Sequence, residues 1–198
     1  MKGMYEMTKR FNDKVVVITG GTDGIGLTTA KSFAAEGAHV YITGRRQQRL
    51  DAALKEIGGG VIGVQGDVSN LADLDRLYDQ ISRDYGRVDV IFANAGISES
   101  APVGSITEDH FDRVFAINVK GTVFTVQKAL PLMSAGGSVV LTGSGAGCKG
   151  FASLSIYSAT KAAIRSLART WTTDLKGKGI RVNVVSPGMV LPPPCKPI

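Results

Sequence analysis

The chain has 198 residues, of which 43% are hydrophobic and 20% are charged, values that fit one globular domain and exclude intrinsic disorder. Its formal charge of +6 is spread along the chain, which argues against nucleic-acid binding. The sequence has two cysteines, no metal-binding Cys or His motif, no signal-peptide core and no membrane-spanning apolar run, so we expect a soluble, metal-free cytoplasmic protein.

Short β-branched segments alternate with longer amphipathic segments along the chain. Apolar runs without polar alternation, such as residues 15–18, are typical of strands buried on both faces. The strict alternation predicts an α/β fold, a doubly wound parallel sheet of the Rossmann type with helices on both faces. The predicted strands are residues 14–19, 39–43, 61–66, 88–92, 138–142 and 180–185, and the predicted helices are residues 25–36, 47–57, 71–85, 108–133 and 156–175.

The sequence shows no internal repeat and no linker, which predicts a single domain over residues 13–190. Residues 1–12 are expected to form a flexible N-terminal extension, and residues 191–198 an irregular proline-rich tail. In a doubly wound sheet, ligands bind outside the carboxyl ends of the strands, near the point where the strand order reverses. The residues that directly follow predicted strands are therefore the first candidates for a functional site.

A glycine-rich loop, residues 19–26, follows the first predicted strand and opens the first predicted helix. Gly20 permits a tight turn, Gly24 lets the backbone approach a pyrophosphate, and Gly26 allows close packing of helix and strand. The helix N-terminus offers unpaired N–H groups to the phosphates. A tight turn that binds nothing gives the same pattern, but its place in a βαβ unit favours a dinucleotide. The expected contacts are Gly20, Thr22, Asp23, Gly24, Ile25 and Gly26.

The end of the second predicted strand indicates which dinucleotide binds. NAD sites usually place an acid here to bind the ribose hydroxyls, whereas NADP sites place a cation. This chain has Gly44 followed by Arg45 and Arg46, and a guanidinium pairs well with a 2'-phosphate. We expect NADP(H) to be preferred, with NAD(H) possible. The alternative is that both arginines are solvated charges at a helix start.

Tyr157 and Lys161 stand four residues apart in a predicted helix, so their side chains share one face. The same stripe continues with apolar residues, which places the polar pair where a buried face reaches the cleft. A nearby ammonium group favours the phenolate form of a tyrosine, which would make Tyr157 usable as an acid–base group at neutral pH. Considered alone, this spacing more often means a lysine that extends past a surface tyrosine.

Six motifs stand in order along the chain, namely Thr19-Gly-x-x-x-Gly-x-Gly26, Asn94-Ala-Gly96, Asn118, Ser144, Tyr157-x-x-x-Lys161 and Pro187-Gly188. Ser144 precedes Tyr157 by 157 minus 144, or 13, residues. In this order and spacing the motifs resemble those of the short-chain dehydrogenase/reductase family. The resemblance covers about residues 14–190, and six matches in order are far more specific than any one of them.

The resemblance implies a catalytic role for four residues. Tyr157 would be the general acid in reduction and the general base in oxidation. Lys161 would hold the nicotinamide ribose and assist the tyrosine, while Ser144 would orient the carbonyl. Asn118 would hold a water of the proton relay. Taken alone, Ser144 is an ordinary loop serine and Asn118 an ordinary polar helix residue.

The resemblance also implies further cofactor contacts outside the glycine loop. Asp67 and Val68 would frame the adenine, the segment Asn94, Ala95 and Gly96 would line the floor under the cofactor, and Tyr157, Lys161, Pro187 and Gly188 complete the expected set.

The C-terminal sequence departs from the family pattern. Family members usually continue past the Pro-Gly turn through a substrate loop, a helix and a last strand, so we expect that helix and strand to be absent here. The family commonly has a threonine after the turn, whereas this chain reaches three prolines at 192–194, which have no hydroxyl or N–H to offer. A polyproline-like end and an altered C-terminus are the two interpretations. Cofactor binding is expected to survive better than turnover.

Two functions follow from these patterns. The first is an NADP(H)-dependent carbonyl reductase or alcohol dehydrogenase that acts on a small-molecule carbonyl or secondary alcohol. The alternative is a nucleotide-binding, catalytically weak protein of the same fold with a regulatory or partner-binding role. The resemblance implies a homodimer or homotetramer that pairs through the predicted helices 108–133 and 156–175. The substrate-selecting segments 97–105 and 145–156 carry no diagnostic charge cluster.

Overall fold

The computed structural model describes residues 9–188, and its described strands form one parallel sheet. The strands are β1 (Val15–Ile18), β2 (His39–Gly44), β3 (Val61–Gln65), β4 (Val88–Ala93), β5 (Met133–Thr142) and β6 (Arg181–Val185). Their order across the sheet is β3-β2-β1-β4-β5-β6. This order confirms the predicted doubly wound α/β fold with six strands.

Six α-helices connect and cover these strands over the described residues. They are α1 (Gly24–Ala35), α2 (Gln47–Ile57), α3 (Leu71–Asp84), α4 (Glu108–Phe115), α5 (Gly121–Ala129) and α6 (Ser155–Asp174). Three of the helices begin with a side-chain oxygen that accepts a hydrogen bond from an N–H of the first turn, namely that of Asp23, Asn70 and Thr107. Such caps satisfy backbone donors that have no partner inside the helix.

The four consecutive apolar residues of β1 pack into the hydrophobic cores on both faces of the sheet. Val15 and Val17 belong to the core under α3, α5 and α6, whereas Val16 and Ile18 belong to the core under α1 and α2. All four residues are fully buried. Because successive side chains of a strand point to opposite faces, only a strand covered on both sides needs four apolar residues in a row.

The strand order places the candidate residues at one edge of the sheet. From β1 the chain winds outward through β2 and β3, then returns to β4 on the other side of β1. The loops that follow β1 and β4 therefore diverge and leave a crevice between them. Most predicted site residues lie in these two loops and in the loops that follow β2, β3 and β5.

The predicted single helix over residues 108–133 is wrong in two respects. The helical segment is interrupted by one π-helical turn, Ala116–Lys120, and α5 ends at Ala129. A short 3₁₀ turn with Pro131 follows, and β5 begins at Met133, five residues before the predicted position 138. The early part of β5 is irregular, with Gly136 at φ 91° and a register shift against β4, so the alternation of an ordinary strand is missing there.

The structure describes the last four residues of the predicted N-terminal extension and none of the predicted C-terminal tail. Residues 1–8 and 189–198 lie outside the described residues, and so do the predictions of an irregular tail at 191–198 and of a missing last helix and strand. Within the predicted extension over residues 1–12, Phe11 packs edge-on against Phe33 of α1, with ring centres 4.7 Å apart. Arg10 makes two side-chain hydrogen bonds to Glu36. Residues 9–12 therefore pack against α1.

Candidate active site

Asn94 joins three of the loops at the carboxyl edge of the sheet. Its side-chain Nδ2 donates to the carbonyl oxygens of Thr19 and Gly20, at 3.1 and 3.2 Å. Its Oδ1 accepts from the hydroxyl of Thr142 at the end of β5, at 3.2 Å. In return, the Thr19 hydroxyl oxygen accepts from the N–H groups of Asn94 and Ala95. The ends of β1, β4 and β5 are thus fixed relative to one another.

The glycine loop is shaped by close backbone contacts. Gly20 has φ +65°, which favours glycine, and a Cβ there would lie 2.9 Å from Cα of Ala95. A Cβ at Gly26 would lie 2.2 Å from the carbonyl oxygen of Gly20, so α1 could not pack this closely with any other residue. The space beside Gly24 is open. The start of α1 is therefore open beside Gly24, where the Gly24 N–H is already bonded to the side chain of Asp23 at 2.8 Å.

A cavity of about 170 Å³ runs along the carboxyl edge of the sheet beside this loop. It reaches from the end of β2 past the β3 and β4 loops to the π-helical turn. Eight of the 17 predicted cofactor residues line it, but Tyr157 and Lys161 do not. The lining residues are Gly20, Thr22, Thr43, Gly44, Arg45, Arg46, Gly66, Asp67, Val68, Ala95, Gly96, Ile97 and Ile117.

The end of β2 leaves no room for a carboxylate side chain at position 44. A Cβ at Gly44 would lie 2.4 Å from the methyl carbon of Thr22 in the glycine loop. The next residue, Arg45, has a side chain that is 59% exposed, with Nη1 3.9 Å from Oδ2 of Asp67. Gln65 fixes the backbone of Arg45, because its Nε2 donates to the Arg45 carbonyl oxygen at 3.0 Å. A flexible cation therefore stands where NAD-binding proteins place an acid.

Tyr157 and Lys161 lie on one face of the first two turns of α6. Nζ of Lys161 is 5.7 Å from the centre of the Tyr157 ring. The same Nζ donates to the carbonyl oxygen of Thr142, at 2.7 Å, and the residue is only 5% exposed. Burial lowers the pKa of Lys161 to about 8, because loss of water disfavours the charged form.

Asn118 lies in the π-helical turn and is almost completely buried. Its Oδ1 accepts from the Ile97 N–H at 2.8 Å, and its Nδ2 donates to the Ile97 carbonyl oxygen at 2.9 Å and to the Thr160 hydroxyl at 3.1 Å. The side chain thus holds the loop after β4 against α6. Both amide hydrogens are used by protein groups, so a relay water would have to be bound by other atoms.

Ser144 follows β5 and caps a short 3₁₀ turn, Gly145–Gly147. Its hydroxyl oxygen accepts from the Ala146 N–H at 3.1 Å, which leaves the hydroxyl hydrogen available. The Pro187 carbonyl oxygen accepts from the Gly145 N–H at 3.3 Å, so the predicted Pro-Gly turn lies against the same loop. The loops after β4 and β5 also meet, since the Ala101 N–H donates to the Ser153 carbonyl oxygen at 2.8 Å.

Two residues that build this site, Thr142 and Thr160, were not predicted from the sequence. Thr142 accepts from Lys161 through its carbonyl and donates to Asn94 through its hydroxyl. Thr160 receives the amide of Asn118 and donates to the Tyr157 carbonyl oxygen at 2.6 Å. Thr142 ends a strand and precedes Ser144 by two residues, so its position alone could have marked it as a site residue. Thr160 lies inside a helix, where the sequence gives no such signal.

Residues 9–188 were expected to contain no membrane-spanning helix and no metal site. None of the described helices is long and apolar enough to cross a membrane. The described His, Cys, Asp and Glu side chains form no group that could hold a metal ion.

Comparison with known proteins gives consistent matches over most of the chain. The sequence profile of the family described as short chain dehydrogenase matches residues 14–196. The oxidoreductase asL5 of Sarocladium schorii is 51% identical over 184 residues, which cover 92% of this chain and 74% of that protein.

Two solved structures with bound dinucleotides are similar. A short chain dehydrogenase from Burkholderia cenocepacia, in complex with NADP, matches with a TM-score of 0.86 and 33% identity, covering 90% of this chain and 75% of that one. A short chain dehydrogenase/reductase from Burkholderia phymatum, in complex with NAD, matches with a TM-score of 0.87 and 31% identity, covering 91% and 67%.

We predict that Lys161→Met changes how stability depends on pH. The pKa of Lys161 is about 8 in the folded chain against 10.5 for an ordinary lysine. Between these values the unfolded chain binds more protons than the folded chain, so stability rises with pH in the wild type. Relative to the variant, the wild-type free energy of unfolding should rise by about 1 to 3 kcal/mol across this window.

Urea unfolding of both proteins at a series of pH values measures this difference. Lys149→Met, which removes an exposed lysine from the loop after β5, is the matched control and should follow the wild type. If the Lys161→Met and wild-type curves run parallel from pH 8 to 10.5, burial does not depress the pKa of this amine.

Proposed function

Because this chain belongs to the short-chain dehydrogenase/reductase family, we propose that it is an NADP(H)-dependent oxidoreductase that interconverts a small-molecule carbonyl and the corresponding secondary alcohol. The observation that carries the proposal is the pairing of Tyr157 with the buried amine of Lys161 at the edge where the glycine loop opens. A buried amine is costly for folding, and functional sites are where such groups concentrate.

The proposed cofactor lies along the carboxyl edge of the sheet. The open first turn of α1 suits the phosphates, because backbone N–H groups point outward there. The adenine end falls at Asp67 and Val68, which line the cavity beyond β3. The nicotinamide end falls at Lys161, near the loop that follows β4. The other proposed contacts are Gly20, Thr22, Asp23, Gly24, Ile25, Gly26, Arg45, Arg46, Asn94, Ala95, Gly96, Tyr157, Pro187 and Gly188.

The proposed chemistry divides between cofactor and chain. When bound, the nicotinamide supplies or accepts the hydride. The Tyr157 hydroxyl gives a proton to the carbonyl oxygen in reduction and takes one from the alcohol in oxidation. The free hydroxyl hydrogen of Ser144 orients the substrate oxygen. One hydrogen of the Lys161 ammonium group is used by Thr142, which leaves two for the ribose.

The proposed location is the cytoplasm, and the proposed substrate is small. Cys148 is an exposed free cysteine, a state that a reducing compartment preserves.

We predict that NADPH binds more tightly than NADH and that Arg45 causes the difference. Arg45→Ala should lower NADPH affinity by roughly 10- to 150-fold, the effect of losing one charged phosphate contact, and should leave NADH affinity nearly unchanged. Calorimetric titration of both cofactors gives the ratio. Arg165→Ala, which removes an exposed arginine of α6, is the control. Equal losses for both cofactors after Arg45→Ala would contradict the assignment of this residue to the 2'-phosphate.

We predict that Tyr157→Phe abolishes most turnover without loss of cofactor affinity. The substitution removes one oxygen and keeps the ring, so kcat should fall by about 10² to 10⁴, the usual contribution of a general acid or base. NADPH-dependent reduction of a simple ketone measures kcat, and calorimetry measures NADPH affinity. Tyr85→Phe, remote from the carboxyl edge, is the control. A Tyr157→Phe variant with the wild-type rate would show that Tyr157 does not transfer the proton.

The proposal includes a homodimer or homotetramer that forms through α4, α5 and α6. Phe111 is 42% exposed and stacks on Phe115, with ring centres 4.4 Å apart. Next to them a shallow, mainly apolar groove runs along α4, the π-helical turn and α5. The adjacent helix α6 exposes Ala159 and Ala162, whose small side chains allow another helix to approach closely. A second copy of the same surface fits these features, as in a two-fold interface.

We predict that Val119→Glu, in the middle of this groove, converts the protein to a monomer. A buried carboxylate on each side of a two-fold interface is unfavourable, because both charges lose water and repel each other. Sedimentation velocity at several concentrations measures the state. Val103→Glu, at a position that is 87% exposed in the loop after β4, is the control and should leave association intact. A wild-type protein that sediments as a monomer at all concentrations would contradict this part of the proposal.

A further inference from the structure

Tyr157 lies in the first turn of α6, and that turn has no side-chain cap. The helix begins at Ser155, and the residue before it, Leu154, makes no capping hydrogen bond through its side chain. The first N–H groups of a helix have no partner inside the helix, so a first turn without a cap is less firmly held than the turns that follow. The position of the Tyr157 hydroxyl therefore depends on the segment that leads into α6.

The segment before α6 is held by the loop that follows β4. The Ser153 carbonyl oxygen, four residues before Tyr157, accepts from the Ala101 N–H at 2.8 Å. Ser153 has φ +62°, and Asp13 is the only other non-glycine residue within residues 9–188 that has a positive φ. A side chain disfavours this left-handed conformation, which persists where the surrounding contacts fix it. The bond from Ala101 is such a contact.

The loop that follows β4 is in turn fixed to α4 by Glu99. Oε1 of Glu99 accepts from Nε of Arg113 at 3.1 Å, and Oε2 accepts from Nη2 of Arg113 at 2.7 Å. Nδ1 of His110, one turn earlier on α4, lies 3.6 Å from the same Oε2. Exposed ion pairs usually contribute little to stability, but a bidentate arginine–carboxylate pair also fixes distance and direction. Because Ala101 follows Glu99 by two residues, the pair restricts where the Ala101 N–H can lie.

Few other bonds fix this loop. It begins at Ile97, which Asn118 holds, and ends at Thr107, which caps α4. Between these two residues, the hydrogen bonds that connect the loop to other elements of residues 9–188 are those of Glu99 and Ala101. The tip of the loop is open to solvent, where Val103 is 87% exposed. The course of the loop between its ends therefore depends on the Glu99–Arg113 pair.

We infer that Glu99 and Arg113 are positioning residues for Tyr157, and that they act through the backbone bond between Ala101 and Ser153. The ion pair fixes the loop, the loop holds Ser153, and Ser153 leads into the helical turn that carries the phenol. Neither charged side chain lines the cavity beside the glycine loop, so cofactor affinity should not depend on them. The inference rests on the proposed function, because it requires Tyr157 to transfer the proton.

The first test is Glu99→Ala in the full chain. NADPH-dependent reduction of a simple ketone should show kcat lowered by roughly 3- to 30-fold, because small displacements of a reacting group are costly. NADPH affinity, measured by calorimetry, should be unchanged. Hydrogen exchange of the Ala101 amide and of residues 153–158 should become faster, since both lose support. Asp109→Ala is the matched control, because it removes the other carboxylate that Arg113 bonds and leaves Glu99 in place.

Two further comparisons test whether the pair acts through Tyr157. The exchange of Glu99→Arg with Arg113→Glu restores an ion pair of opposite direction and should recover most of the lost kcat. In a Tyr157→Phe background, Glu99→Ala should cause little further loss, because the group that it positions is already absent. A side chain that only stabilises the fold would lower both rates by the same factor, so the two effects would multiply.

The outcomes separate this inference from the proposed function. If Glu99→Ala keeps the wild-type kcat, if Asp109→Ala lowers kcat as much, or if the loss is equally large in the Tyr157→Phe background, the inference is overturned while proton transfer by Tyr157 stands. A lower melting temperature with an unchanged kcat would show that the pair acts on stability alone. If the wild type does not reduce the ketone with NADPH, the proposed function and the inference fail together.

Discussion

The hydrogen bonds of Asn94 are the constraint on which the site depends. Parallel strands bring their carboxyl ends to one edge, but the loops that follow them have no ladder bonds to fix them. Asn94 supplies the missing bonds, because its amide spans the carbonyls of the glycine loop and the hydroxyl at the end of β5. An apolar residue in its place would leave the part-buried carbonyls of Thr19 and Gly20 without this donor. The cavity and the position of Lys161 both follow from this arrangement.

Lys161 depends on the same edge of the sheet. Its amine is buried under the loop that Asn94 fixes, and the Thr142 carbonyl is its hydrogen-bond partner in the structure. Thr142, at the end of β5, thus connects the fixed loops, through its hydroxyl, with Lys161 of α6, through its carbonyl. Asn118 connects the opposite side, since it holds Ile97 and Thr160. Asn118 and Thr142 thus fix Thr160 and Lys161, two residues of α6 in the next turn after Tyr157.

The sequence predicted the sheet well and the details of the site less well. The six strands were recognisable because each is a short apolar run followed by a polar or glycine residue, and this pattern is local. The glycine loop, Tyr157 and Lys161 were recognisable mainly because they belong to six motifs that stand in order along the chain. The π-helical turn was not, and its Asn118 bonds Ile97, which lies 21 residues away in the sequence. The Glu99–Arg113 pair joins residues 14 apart and shows no periodic pattern that a reader of the sequence could detect.

The contact between Thr22 and Gly44 constrains the order in which cofactor preference could change during evolution or engineering. An acid at position 44 would meet the methyl carbon of Thr22 at 2.4 Å, so this substitution made first would distort the glycine loop. Thr22→Ser removes that methyl group, and the nearest remaining side-chain atom, the hydroxyl oxygen, lies 3.3 Å from the new Cβ. A side chain at position 44 therefore requires a prior change in the glycine loop, and Thr22→Ser is such a change that carries no charge.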